Sequence, residues 1–385
     1  MVRVLWTVLA LTICGGIAMA ESPYGAWANG PSKADDYFPI AVWLQAPANA
    51  ARYRAIGINT YVGLWRGPTA EQLAELQKNG IGLICGYRAG LEKEKGIVGW
   101  MHGDEPDNAQ ALPKGQKGYG PPITPERIVA DYERIKAADP TRPVMLNLGQ
   151  GVAYDNYIGR GVRRGKLEDY PKYIQGSDIV SFDIYPVVHE TPEIAGNLTY
   201  VAKGVTRLRE WSKDQKLVWN CIETTRISNV NKKATPAQVR SEVWMSIIHG
   251  SRGIIYFAHE FKPKFVEAGL LADAEMARGV GAINAEVQSL AAVLNAPAEA
   301  AGAVTLASAN KDTPVDVMVR RHRGSLYVFA AGMGRESTRA TFTVAEGKEG
   351  SVEVIGEGRT VSMSGGKFED GFEGYGVHLY RMTGK

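Results

Sequence analysis

Cysteine is nearly missing from this sequence: there are three in 385 residues, Cys14, Cys85 and Cys221. The last two lie inside apolar runs. That excludes a disulfide scaffold and leaves two thiols expected to pack as small buried hydrophobes. Histidine is scarce as well, at six. His102, and His259 beside Glu260, have no HExxH or comparable spacing around them, so neither a metal nor another cofactor is expected. Charge of one sign is also lacking, with 44 bases against 41 acids and a net +3. The longest basic cluster is "RRHR" at Arg320–Arg323. Neither nucleic acid nor a membrane surface is expected as partner. No Gly-rich phosphate turn follows the first strand-like run, which continues into "LQAPAN". An open dinucleotide-binding sheet would want one there.

Residues 1–20 carry one base, Arg3, then an apolar stretch ending "AMA" before Glu21. This pattern predicts a secretory signal, with an exported product that is periplasmic or secreted. Ile13 before Cys14 does not fit lipoprotein processing.

Eight short apolar runs follow: 38–45, 58–65, 81–87, 97–105, 144–149, 178–186, 216–224 and 253–261. They are continuous, as strands buried on both faces are. Helix signals separate them. Thr69 with Gln72 and Thr235 with Gln238 have capping-box spacing, and Thr124-Pro125 opens a third helix. Eight strand-plus-helix units predict an α/β fold, a (β/α)8 TIM barrel over 21–300. After "NAPAEAAGA" the periods turn short and strand-like. A small antiparallel β-sandwich domain is expected over 301–385.

In such a barrel, chemistry sits at the C-terminal strand ends. "GWMHGDEPDN" puts Asp104 and Glu105 at the end of the fourth strand, and "VWNCIETT" puts Glu223 at the end of the seventh. Two carboxylates across one pocket can perform a double displacement at an anomeric carbon. The segment 108–122 is long for a βα loop and is expected to wall one side of the cleft.

The order of these features resembles the clan A barrel glycoside hydrolases, over roughly 35–295. "DPTRPV" (139–144) resembles the lead into strand five of several clan families, and "DIYP" (183–186) their strand-six end. The resemblance implies Glu105 as acid/base, Glu223 as nucleophile, and Tyr185 as the hydrogen-bond partner of that nucleophile. The clan usually has Asn before the acid/base, where this chain has Asp104. An ionised Asp104 would raise the pKa of Glu105 by like-charge repulsion. Pairing of Asp104 with Arg66 or Arg88 is the structural alternative, and a turn or cap role is expected for Asp107.

Trp43, Trp65, Trp100 and Trp219 fall near strand ends, where aromatic planes can stack on sugar faces. Tyr87, His102, Asn147, Asp183 and His259 fall at expected mouths as well. The expected function is an exported retaining glycosidase of β-linked glycans, with an oligo- or polysaccharide as its partner. Two alternatives stay open. One is a carbohydrate-binding barrel without catalysis. The other is a barrel hydrolase or lyase that uses Asp104 and Glu105 with Glu223 structural.

Overall fold

The computed structural model describes residues 22–383. The expected signal, its cleavage site and Cys14 lie outside the described residues. Each of the eight expected runs contains a strand. They are β1 (Ile40–Trp43), β2 (Thr60–Val62), β3 (Gly82–Gly86), β4 (Ile97–Met101), β5 (Val144–Leu148) and β6 (Ile179–Phe182). The seventh crossing comes in two pieces, β7 (Leu217–Val218) and β8 (Asn220–Glu223), and β9 (Ile254–Phe257) is the eighth.

All pairings are parallel. Ala41 of β1 pairs with Thr60 on one side and Ile255 on the other. β7 pairs with β6, and β8 pairs with β9, so the split crossing closes the ring. Side chains alternate between two cores, as strand geometry dictates. Ala41, Val62, Ile84, Met145, Ile179 and Ile255 fill the interior. Ile40, Val42, Leu83, Leu146, Val180 and Tyr256 face the outer helices. The long helices begin where the caps predict. Thr69 and Gln72 cap Ala70–Lys78 reciprocally, and Thr235 and Gln238 do the same for Pro236–Ile248. Thr124 caps Pro125–Ala138.

The barrel floor is plugged. Tyr24 donates to the Arg252 carbonyl at 2.7 Å and receives the Trp219 indole N–H at 3.0 Å. At the other end, where the strands finish, a cavity lies beside Tyr185.

Eight further strands form two antiparallel sheets. Three of them, β10 (Val304–Ser308), β13 (Thr338–Val344) and β16 (Lys367–Phe372), run in the order β10-β13-β16. The larger sheet holds β11 (Val315–His322), β12 (Ser325–Gly332), β14 (Gly350–Val354), β15 (Arg359–Met363) and β17 (Val377–Thr383). Its order is β11-β12-β17-β14-β15. Phe342 and Phe368 stack at 4.5 Å in the core of this sandwich. Trp244 of the helix Pro236–Ile248 stacks on Phe329 at 5.4 Å, joining sandwich to barrel.

Candidate active site

Strand β4 stops at Met101, and four residues later Glu105 adopts φ +42°. The left-handed region is costly for a long side chain, and such strain collects at functional sites. Leu44 after β1 and Arg66 after β2 share it, with φ +48° and +50°. Three strand ends at one mouth are thus held in unfavourable backbone.

Glu105 is half-buried, and its Oε2 accepts from the Asn108 side-chain amide at 2.8 Å. Asp104 reaches solvent, and its Oδ1 accepts from Nδ2 of Asn147 at 2.9 Å. The same nitrogen donates to Oδ1 of Asp183 at 3.0 Å. One amide nitrogen thus bridges the two aspartates. Asn147 is itself fixed, because its Oδ1 accepts from Ser181 at 2.7 Å. Tyr185 donates to Oδ2 of Asp183 at 2.8 Å, and the Cys221 sulfur lies 3.7 Å from Asn147 Oδ1. The ends of β4, β5 and β6 therefore bring Asp104, Glu105, Asn147, Asp183 and Tyr185 together.

Three carboxyl groups in one pocket cannot all ionise at neutral pH. Burial first, then the charges of Asp183, Asp104 and Asp107, hold Glu105 well above the usual carboxylate range. Although an edge of Asp104 reaches solvent, the protein packed around its carboxyl and then Asp183 push it up to about 7. Burial raises Asp183 too, but donors at Cys221, Asn147 and Tyr185 oppose it. Asp183 has the most side-chain donors opposing its rise, and Glu105 has one. The pocket can hold a carboxylate and a carboxylic acid side by side.

Glu223 lies elsewhere. It has no exposure, and its oxygens accept from the backbone N–H of Val187 at 2.6 Å and Val188 at 3.0 Å. Buried Glu242 of the helix Pro236–Ile248 lies near it, and burial and then the Glu223 charge raise Glu242 well above the usual carboxylate range. Burial pushes Glu223 up to about 8. The structure does not bring Glu223 to the carboxylates around Glu105. The strand splits around Trp219, and its last carboxylate ties the end of β8 to the chain after β6. Tyr185, expected to serve Glu223, serves Asp183.

Asp107 is a buried tie rather than an exposed cap. It accepts from the Gly149 N–H at 2.8 Å and the Tyr170 hydroxyl at 3.1 Å, with Arg160 beside it. Asp104 is bound by Asn147, and neither Arg66 nor Arg88 forms an ion pair with it among the described residues.

Several expected residues are turned away from the mouth. Trp219 is fully buried against Tyr24 at the floor, because it falls midway along the split seventh crossing. His102 contacts the Gly176 carbonyl at 2.8 Å, and burial lowers its pKa. Tyr87 donates to Glu92 at 2.6 Å and packs on Trp100 in the outer layer. Trp100 bonds Asp139 at 2.9 Å. Trp43 belongs to the barrel interior and is almost wholly buried. Trp65 is exposed, with its ring 5.8 Å from that of His259.

The structure adds residues that the sequence reading missed. Asn108 holds Glu105, and Phe257 packs on Tyr185 at 5.1 Å. A cavity of about 260 Å³ opens beside Tyr185, lined by Gln150, Tyr154, Tyr157, His189 and Ile227. Tyr157 feels the charges of Glu105, Asp107 and Asp183. The alternation of Phe257, His259 and Phe261 was a signal that could have found the aromatics. A second cavity, about 590 Å³, lies in the sandwich around Leu326, Met363 and Met382 and has no aromatic wall.

No protein-family profile and no curated protein matches the sequence. Solved structures do match the fold. A catalytic mutant of the GH42 β-galactosidase Gan42B from G. stearothermophilus aligns with TM-score 0.58 at 9% identity, over 93% of this chain and 99% of that one. AmyP in complex with maltotriose gives 0.55 at 10%, over 91% and 98%. The α-amylase of Geobacillus thermoleovorans complexed with acarbose gives 0.54 at 11%, over 91% and 99%. The chain has the fold of the barrel glycoside hydrolases, a (β/α)8 barrel followed by an antiparallel β domain.

Proposed function

We propose that the chain is an exported glycoside hydrolase that cleaves β-linked glycans with retention, using the carboxyl groups at the ends of β4 and β6. The observation that carries the reading is the set of carboxyls at the strand ends: Asp104 and Asp183 bridged by Asn147, Asp183 bound by Tyr185, and Glu105 held beside them by Asn108. Glu105 protonates the leaving glycosidic oxygen. Asp183 attacks the anomeric carbon and forms a glycosyl ester. Glu105 then takes a proton from water, the water oxygen bonds to that carbon, and the ester bond breaks to return the carboxylate. This keeps Glu105 in its expected role and moves the nucleophile from Glu223 to Asp183. It shares with the second alternative a structural Glu223, but pairs Glu105 with Asp183 rather than with Asp104.

The test is a panel of β-linked oligosaccharides, with products sized and followed by proton NMR in the first minutes. Retention gives the β-anomer first. An initial α-anomer overturns the double displacement, and no cleavage anywhere in the panel overturns the glycosidase reading. Export predicts a purified native protein that begins near Glu21, and an intact N-terminus contradicts it.

A further inference from the structure

Beyond β9 the chain builds an aromatic surface that the carboxylate chemistry does not use. Phe257 touches Tyr185 of the acid pocket and lies 5.3 Å from the ring of His259. His259 stacks on Phe265 at 5.7 Å and 23°, and lies 6.1 Å from Phe261. Phe261 and Phe265 meet at 5.5 Å, and Trp65 approaches His259 from β2. Trp65, Phe261 and Phe265 are exposed by 46%, 44% and 54%. Three rings so open to water in one cluster are unusual for a solvated loop.

This surface is held in place. Glu260 and Val266 exchange backbone hydrogen bonds of 2.9 and 2.8 Å, closing the loop that carries both phenylalanines. The Phe261 N–H is anchored to the Arg226 carbonyl at 2.9 Å. His259 is fixed to the Leu44 carbonyl at 3.0 Å, and burial lowers its pKa, so it presents a neutral ring. Pre-formed aromatic planes bind without the cost of ordering them.

We infer that Trp65, His259, Phe261 and Phe265 form a subsite for a second sugar ring of the substrate whose scissile bond sits at Asp104, Glu105 and Asp183. The inference rests on the glycosidase reading above. The surface is continuous, ring to ring, with the acid pocket. A pyranose offers an apolar C–H face that stacks on such planes while its hydroxyls stay in water. The substrate is therefore an oligosaccharide that extends beyond the reacting unit, and single-sugar glycosides leave this surface empty.

The test uses cellohexaose, xylohexaose and mannohexaose with the matching disaccharides. Binding is measured by calorimetry to Glu105→Gln protein, and cleavage is measured with unaltered protein. Phe261→Ala and Phe265→Ala, at exposed positions, should weaken hexasaccharide binding about ten-fold each. The loss should grow with chain length. Emission of exposed Trp65 should shift to the blue as a hexasaccharide covers it. If unaltered protein cleaves a hexasaccharide while the variants bind it as tightly as the Glu105→Gln parent, the subsite is overturned and the glycosidase reading stands. If no glycan binds or is cleaved, both fall.

Discussion

Glu223 and Glu242 form a buried pair with no ion-pair partner among the described residues. Glu223 has two backbone donors, whereas both oxygens of Glu242 are buried without a hydrogen-bond partner among the described residues. The pair therefore holds protons in the folded state that the unfolded chain releases. The sign follows from linkage. A carboxyl whose folded pKa is raised stabilises the fold fully below its unfolded value, and loses that contribution as pH rises through the folded value. For Glu223 the window runs from the ordinary 4.5 to about 8. At about 1.4 kcal/mol per pH unit per proton, the loss is on the order of 4–5 kcal/mol across it. Glu242→Gln supplies an amide donor to Glu223 and removes the second acid. It should leave stability near unchanged at about pH 5 and raise it by about 1–3 kcal/mol at about pH 8.5. Urea unfolding followed by circular dichroism at the two pH values measures this. Equal pH dependence in parent and variant, or a weaker variant at the higher pH, would refute the raised carboxyl pair.

Other outcomes follow from the same contacts. Glu105→Ala should reduce turnover of natural glycans by several orders of magnitude and that of aryl glycosides with good leaving groups far less, in parallel steady-state assays. Asp104→Asn removes a charge that raises Glu105, so the alkaline limb of the kcat–pH profile should move to lower pH; a shift upward or none contradicts the coupling. Asp107→Ala leaves the Gly149 N–H and the Tyr170 hydroxyl without a buried acceptor, while Arg160 keeps Asp169, and should cost about 1–3 kcal/mol in chemical denaturation.

The barrel was legible because the strands fall in mainly apolar runs without strict alternation, as a sheet buried on both faces requires. The helix starts were legible because Thr69 with Gln72 and Thr235 with Gln238 are local devices. In the sandwich, β10 and β16 escaped delineation. "KFEDGF" buries only Phe368 and Phe372, too few to mark a strand on its own. At the site, Asp104 and Glu105 could be read from an apolar strand ending in acids, and Asp183 with Tyr185 from "DIYP". The fate of Glu223 could not. It depends on where the seventh crossing splits, on the N–H groups after β6 and on Glu242 of a separate helix. Trp219 was misplaced for the same reason, since a run of apolar letters does not say how far each lies from the mouth.

The central claim is that Asp183, and not Glu223, is the carboxylate that meets the anomeric carbon. Comparing Asp183→Ala with Glu223→Ala in the presence of azide tests it most directly. The account predicts that Asp183→Ala loses turnover by several orders of magnitude while staying folded, and that azide partly restores it as an α-glycosyl azide from a β-linked substrate. Glu223→Ala should lose stability, and any activity it loses should not return with azide. Azide rescue of Glu223→Ala, together with near-normal turnover in Asp183→Ala, would contradict it.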